Sequence, residues 1–408
     1  MNRYGIFGAR LRRTRPVGRG VMNMMALHLA RRVRTAPVGS RSYMPGVVNS
    51  VTDLIGRTPL VRLNRVVPEG GATVLVKLEM QNPGGSVKDR IALSMIEGAE
   101  ARGEITPGKT TIVEATSGNT GIGLGMVAAA KGYKCIVVMP QVPSMYERYI
   151  TARKFGCDVH LTAVTAEDVP LMIDMLLGHA KKLVAENDNY WSPVQFANDD
   201  NPKAHIEGTG PELWEQTGGE IDCFVAGAGT GGTMNGVGTF LKGKKPSCKC
   251  FLVEPSESRV LSGFESGMHG IVGIGPGLHP EVMQLTERLA PGQPFSEAPR
   301  GPIDEFLHAS TPEAVGMANR LAAEEGLLVG PTSGATIKVA IDVAMRPEMA
   351  GKVIVALSAS SAIRYVSHPM WEAEKIEAKE ALPLPPDLET AEPTCRWRSD
   401  EFVPPPKE

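Results

Sequence analysis

Two sets of short β-branched runs, spaced by glycine-containing stretches with helical potential, leave this chain few architectures to choose from. In the first set, Thr111-Ile-Val-Glu114, Cys135-Ile-Val-Val-Met139 and Asp158-Val-His-Leu-Thr162 alternate with such stretches, which is the rhythm of βαβ units. The rhythm returns with Cys223-Phe-Val-Ala226, Cys250-Phe-Leu-Val253 and Val353-Ile-Val-Ala-Leu357, and helices such as Thr311 to Glu325 fall between them. Parallel strands need long crossovers, so the pattern predicts an α/β protein: two domains with mostly parallel twisted sheets flanked by helices. The polar, proline-containing stretch from Trp191 to Asn201 marks the boundary between the halves. Ligands in such folds sit beyond the carboxyl ends of the strands, often between domains.

The ends of the chain read differently. From Met1 to Thr52 there is no Asp, Glu or Lys, whereas Arg recurs ten times, at Arg3, Arg10, Arg12, Arg13, Arg15, Arg19, Arg31, Arg32, Arg34 and Arg41. Met22 to Arg34 has helical potential, with apolar residues on one side and Arg near its end, and Arg41-Ser42-Tyr43 resembles a mitochondrial processing site. Residues 1–45 are therefore expected to be a transit peptide, disordered in itself, addressed to the mitochondrial matrix. A plastid address and a basic tail on a cytoplasmic protein are the alternatives. After Trp371 the chain turns charged and then proline-rich, which predicts an extended tail over 371–408. Between these ends, 42% hydrophobic and 22% charged residues suffice for a sizeable core, and a formal charge of −2 gives no general reason to bind nucleic acid or a membrane. The six cysteines form no pair of CxxC knuckles, so no metal site is expected; Cys248-Lys249-Cys250 is read as ordinary strand cysteines pointing to opposite faces. The histidines His160, His179, His205, His269, His279, His308 and His368 lack ligand spacing and are assigned to the surface, with no catalytic role.

Three motifs carry chemistry. In Gly227-Ala-Gly-Thr-Gly-Gly-Thr233, after a predicted strand and before a helix, the glycines let backbone N–H groups close around an anion and the Thr hydroxyls add donors. Taken alone, such a loop serves a phosphate, a nucleotide or simple tight packing. In Asn82-Pro-Gly-Gly-Ser-Val-Lys-Asp-Arg90, Lys88 stands near a helix start, where the dipole lowers its pKa and favours the neutral amine needed for an imine. In Glu114-Ala-Thr-Ser-Gly-Asn-Thr-Gly-Ile-Gly123, a strand end feeds a helix through a loop of hydroxyl, amide and backbone donors, suited to a carboxylate or phenolate-like oxygen and also to a plain N-cap turn.

In this order, and with the opening Leu54-Ile-Gly-Arg-Thr-Pro-Leu-Val-Arg-Leu-Asn64, the motifs closely resemble those of the cysteine synthase (O-acetylserine sulfhydrylase) family of pyridoxal 5′-phosphate (PLP) dependent enzymes, over about Val48 to Val366. The resemblance implies a tryptophan synthase β-like fold with PLP in the cleft between a larger domain (46–83 and 193–370) and a smaller mobile one (84–192). It implies that Lys88 is the Schiff-base lysine and general base, and that Asn119 bonds the cofactor's phenolic oxygen. It puts Thr116, Ser117, Thr120 and Gln195 at the substrate carboxylate, Gly229, Thr230, Gly231, Gly232 and Thr233 at the phosphate, and Thr332 of Gly330-Pro-Thr-Ser-Gly-Ala335 at the pyridine nitrogen. A neutral hydroxyl at that nitrogen makes a weaker electron sink than an Asp partner would, which favours β-replacement: loss of the α-proton to Lys88, expulsion of a β-leaving group, and attack by a thiol or sulfide. The family's leading reaction turns O-acetyl-L-serine and sulfide into L-cysteine and acetate. A homodimer and a complex with serine acetyltransferase are the partners the resemblance implies.

Departures from the family pattern cluster where the second substrate would lie. Met139-Pro-Gln-Val-Pro-Ser-Met145 replaces an acidic loop and is one residue longer, Ala163-Val-Thr-Ala-Glu-Asp replaces Gly-Met-Lys-Gly, Val272 replaces a Gln, and Ser358-Ala-Ser-Ser-Ala-Ile-Arg-Tyr365 replaces Pro-Ser-Phe-Gly-Glu-Arg-Tyr. They leave as alternatives a β-cyanoalanine synthase or cystathionine β-synthase-like enzyme, or a non-catalytic binding subunit on the same fold.

Overall fold

Every predicted strand forms, and the strands divide between two sheets. The computed structural model describes residues 46–380 apart from 117, 143–144, 165–171 and 284–300. The larger sheet has the order β1 (Leu60–Arg62), β2 (Thr73–Leu78), β10 (Val353–Ser358), β7 (Cys223–Gly227), β8 (Lys249–Pro255), β9 (Glu305–Ala309). Only the β1–β2 pair is antiparallel. The smaller sheet is all parallel, in the order β5 (Asp158–Thr162), β4 (Lys134–Pro140), β3 (Thr111–Ala115), β6 (Tyr190–Trp191). The chain lays down β1 and β2, leaves to build the smaller sheet, and returns at β7.

Strands covered on both faces read as continuous apolar runs rather than alternating ones, and β7 and β10 are buried accordingly. The helix Pro331–Ala344 shows the same logic in helical form. Its Ala, Val and Ile residues go round the whole circumference, and nearly all are buried. It packs so closely on the helix Thr311–Glu325 that a Cβ on Gly334 would lie 2.0 Å from the Ala314 carbonyl oxygen. That second helix begins and ends where the sequence predicts, opened by a capping box between Ser310 and Glu313 and closed by Gly326 in the left-handed conformation.

A buried cluster of charges joins the two parts of the chain that flank Lys88. Arg90 Nε donates to Glu79 Oε2 at 2.6 Å and its Nη1 to Glu212 Oε1 at 2.7 Å, while Lys77 Nζ meets Glu212 Oε2 at 2.6 Å. Thr58 Oγ1 and Asn82 Nδ2 complete the shell of Glu79 at 2.7 and 2.9 Å. Burial opposes the charge on Glu212, but Arg90 and Lys77 outweigh it and hold the carboxyl at about 2. Among the described residues no helix is long and apolar enough to cross a membrane.

Two expectations are corrected. Residues Glu372–Glu380 form a helix, not an extended tail, because the run of Glu, Ala and Lys has high helical propensity and sets Lys375 beside Glu372; 381–408, like 1–45, lie outside the described residues. Cys248 and Cys250 do not face opposite ways: residues two apart share a face, both side chains are buried, and the pKa of the free Cys250 thiol is pushed up by a hydrogen bond with the Cys248 thiol and by burial.

Removing Arg90 leaves Glu79 buried without its main partner. Arg90→Met is expected to lower stability by about 3–5 kcal/mol, read from urea denaturation; a loss under about 1 kcal/mol would mean that the cluster does not constrain the fold. The Glu212 contribution is complete above its unfolded value of 4.5 and is lost as pH falls through about 2, so the gap between the two proteins should narrow in acid.

Candidate active site

The carboxyl ends of β3, β7 and β10 open into one cavity of about 420 Å³, where Lys88, Thr116, Asn119, Thr230 and Thr332 converge from separate stretches of chain. Lys88 is the first residue of the helix Lys88–Arg102, and its backbone N–H donates to Ser86 Oγ at 3.2 Å. Its ammonium has no hydrogen bond or ion pair among the described residues, and burial pulls its pKa down to about 8. The expected direction thus holds, with desolvation as its cause.

One wall is polar and tightly specified. Thr120 Oγ1 donates to Gln195 Oε1 at 2.7 Å, and Thr116 lines the cavity behind them. Gln195 follows Val194, which sits at φ 51°, a left-handed conformation that costs a β-branched residue strain. Glu114 holds this turn by accepting from the backbone N–H groups of Val194 at 3.0 Å and Gln195 at 3.3 Å. Burial still pushes the Glu114 carboxyl up to about 7 against those donors. Ser117 lies outside the described residues.

Beside Thr120, Asn119 opens the helix Asn119–Lys131 with both ends of its amide held: Arg364 Nη1 donates to its Oδ1 at 3.1 Å, and its Nδ2 donates to the Tyr365 hydroxyl at 3.2 Å. Tyr365 in turn shares a 2.8 Å hydrogen bond with Ser360 and lies under the Arg148 guanidinium, 5.2 Å from ring centroid to Cζ. The divergent segment 358–365 therefore supplies part of the site. Thr332 Oγ1 donates to the Val272 carbonyl at 2.6 Å, which joins two more of the expected and divergent positions.

The glycine-rich loop has the form of an anion cradle. Gly231 is left-handed at φ +80°, and a Cβ there would fall 1.9 Å from Met283 Cγ; one on Gly229 would fall 2.6 Å from the Gly273 carbonyl oxygen. The loop leads into the helix Gly232–Lys244, so its N–H groups gather at a helix N-terminus, with Thr230 and Thr233 lining the cavity. Gly232 is not part of the lining; its Cα faces Asn201, where a Cβ would lie 2.0 Å from Oδ1. An amine of lowered pKa, an anion cradle and a donor-rich wall within one cavity fit pyridoxal phosphate.

His205 and His368 are corrected: neither is a surface residue. His205 bridges Thr209 Oγ1 at 2.9 Å and Thr233 Oγ1 at 3.2 Å, and His368 Nε2 meets the Gly270 carbonyl at 2.8 Å. Asn201 and His205 escape a motif reading, and Glu114 and Arg364 lie in segments singled out from the sequence without receiving a role there, because each acts through neighbours distant in sequence.

The family model described as "Pyridoxal-phosphate dependent enzyme" matches residues 51–359. A cysteine synthase of Staphylococcus aureus (strain N315) is 43% identical over 327 residues, covering 79% of this chain and 97% of the relative. A hydrogen sulfide-producing enzyme from Fusobacterium nucleatum superimposes with a TM-score of 0.70 at 40% identity, covering 78% of this chain and 100% of that one. A cysteine synthase from Entamoeba histolytica does so with a TM-score of 0.72 at 35% identity, covering 81% and 93%. With the match to the family spanning most of the chain, and with a fitting cavity at the strand ends, this chain belongs to the pyridoxal-phosphate dependent enzymes.

Proposed function

We propose that the protein forms L-cysteine and acetate from O-acetyl-L-serine and sulfide by β-replacement, with Lys88 as attachment point and base. The observation that carries this reading is Lys88 itself: a buried amine with a pKa of about 8, free of protein partners among the described residues, set between an anion cradle and a donor-rich wall. When bound, pyridoxal phosphate supplies an electron sink conjugated to the amino acid's α-carbon.

The protein's own residues then have separable tasks. Gly229, Thr230, Gly231 and Thr233, which line the cavity, would receive the phosphate, and Asn119 Nδ2 would donate to the phenolic oxygen. Thr116, Ser117, Thr120 and Gln195 take the substrate carboxylate, which fixes the α-C–H bond relative to Lys88. Lys88 Nζ would remove the substrate's α-proton; its lowered pKa keeps a useful fraction neutral near physiological pH. Thr332, which lines the cavity, would meet the ring nitrogen with a neutral hydroxyl, so that no carboxylate would hold a proton there. Val142, Met145 and Met172 line the cavity with apolar surface that excludes water from the reacting atoms.

The reading extends to the whole chain. Residues 84–192 move as a smaller domain against 46–83 and 193–370 and close on the substrate. The enzyme acts as a homodimer, binds serine acetyltransferase, and is sent to the mitochondrial matrix by its arginine-rich, acid-free leader.

In spectra of the purified protein with PLP, O-acetylserine should shift the visible band with release of acetate, and sulfide should restore it with formation of cysteine. Lys88→Ala should lose about 10²–10⁴-fold or more in turnover; a band indifferent to O-acetylserine, or a fully active Lys88→Ala, would sink the proposal. In cofactor-free protein, arylation of Lys88 by fluorodinitrobenzene, followed by mass spectrometry, should rise with pH around a midpoint near 8. A midpoint at 10 or above would mean a solvated amine without the tuning proposed here.

A further inference from the structure

We infer that Asn201 and His205 are positioning residues that aim the hydroxyl protons of Thr230 and Thr233 into the cavity, so that both side chains meet the cofactor phosphate as donors. The inference rests on the reading of Gly229–Thr233 as the phosphate cradle.

The chain of constraints at Thr230 begins with a backbone carbonyl. The Gln195 oxygen can only accept, and Asn201 Nδ2 donates to it at 2.7 Å. A flipped Asn201 amide would set Oδ1 against that oxygen, so the NH₂ group is locked in place. The same Nδ2 donates to Thr230 Oγ1 at 3.0 Å, and the Gly232 N–H reaches that hydroxyl at 3.4 Å. A hydroxyl has two acceptor sites and one donor. With both acceptor sites filled, the proton of Thr230 is what remains, and Thr230 lines the cavity.

Thr233 is governed by an imidazole. His205 lies in a π-helical turn, His205–Thr209, and is 1% exposed. The helix carrying Thr233 comes so near that a Cβ on Gly236 would lie 2.7 Å from His205 Cβ and 2.3 Å from the Pro202 carbonyl oxygen, an approach that lets Nε2 reach Thr233. Burial and the nearby Arg90 charge hold the ring neutral, with a pKa of about 3. A neutral ring has one donor and one acceptor. With the proton on Nε2, His205 donates to Thr233 and accepts from Thr209, and the Thr233 proton is free for an anion. With the proton on Nδ1, Thr233 would spend its proton on the ring and present only lone pairs to a phosphate. The arrangement thus orients two donors before any anion arrives, which spares reorganisation on binding.

The test uses holoenzyme labelled with ¹⁵N-histidine, the His205 signals being assigned by their loss in His205→Leu. The expected result is a neutral ring protonated on Nε2; an Nδ1–H or doubly protonated ring overturns the assignment. Affinities for PLP, inorganic phosphate and pyridoxal, which lacks the phosphate, are then compared. Asn201→Ala and His205→Leu should each weaken PLP and phosphate by about 5–10-fold and leave pyridoxal unchanged. Equal loss for pyridoxal, or no loss for PLP, overturns the positioning role. Thr230→Val and Thr233→Val separate the two levels. If these weaken PLP while the Asn201 and His205 variants do not, the positioning inference fails alone; if none of the four does, the phosphate cradle fails with it.

Discussion

The cluster of Arg90, Glu79, Glu212 and Lys77 fixes where the helix bearing Lys88 begins. One fully buried carboxylate, one half-buried carboxylate and two buried cations are tolerable only at hydrogen-bonding distance, so β2, the turn after it, the helix start and the helix Gly210–Gln216 cannot shift independently. Asn82 extends the constraint into the loop before Lys88, since its amide donates to Glu79 and accepts from the Gly56 N–H. A flexible lysine side chain thereby acquires a defined origin, two residues from a charge that cannot move.

Two lysines eleven positions apart illustrate how the same desolvation serves opposite ends. Burial lowers the pKa of both Lys77 and Lys88. For Lys77 the effect is opposed by Glu212, and the side chain is further engaged by the Thr58 carbonyl and Gln216. Lys88 has no such compensation, so its neutral form stays within reach near neutral pH. The fold spends its carboxylates on the structural cation and withholds them from the reactive one. A comparable division exists on the polar wall, where Glu114 stabilises a strained turn and Gln195, which that turn presents, remains neutral.

Much of this was legible because the informative residues are contiguous. Lys88, Asn119 and the Gly229–Thr233 loop each sit in a strand-to-helix or turn-to-helix junction whose chemistry is written in ten residues or fewer. The strands were legible because burial on both faces demands unbroken apolar runs. What a linear reading loses is the partner. His205 looks like any isolated histidine until the π-helical turn and Gly236 bring it to Thr233, and Arg364 gains meaning only against Asn119, 245 positions away. The helix at Glu372–Glu380 is a different case: its composition is that of a good helix, but charge density also marks solvated tails, and propensity decides between them here.

The detour of the chain through the smaller sheet also sets an order of assembly. β2 pairs on one side only with β1, and on the other with β10, so Thr73 waits for Val353 before its ladder is complete. During synthesis from the N-terminus the β1–β2 hairpin emerges early with an open edge, while the strands of the smaller sheet find all their neighbours within residues 111–191. Local pairings close faster than distant ones, because less chain entropy is lost in bringing their ends together. The nascent protein therefore carries an open strand edge for most of its translation, the interval in which edge-to-edge association competes with folding.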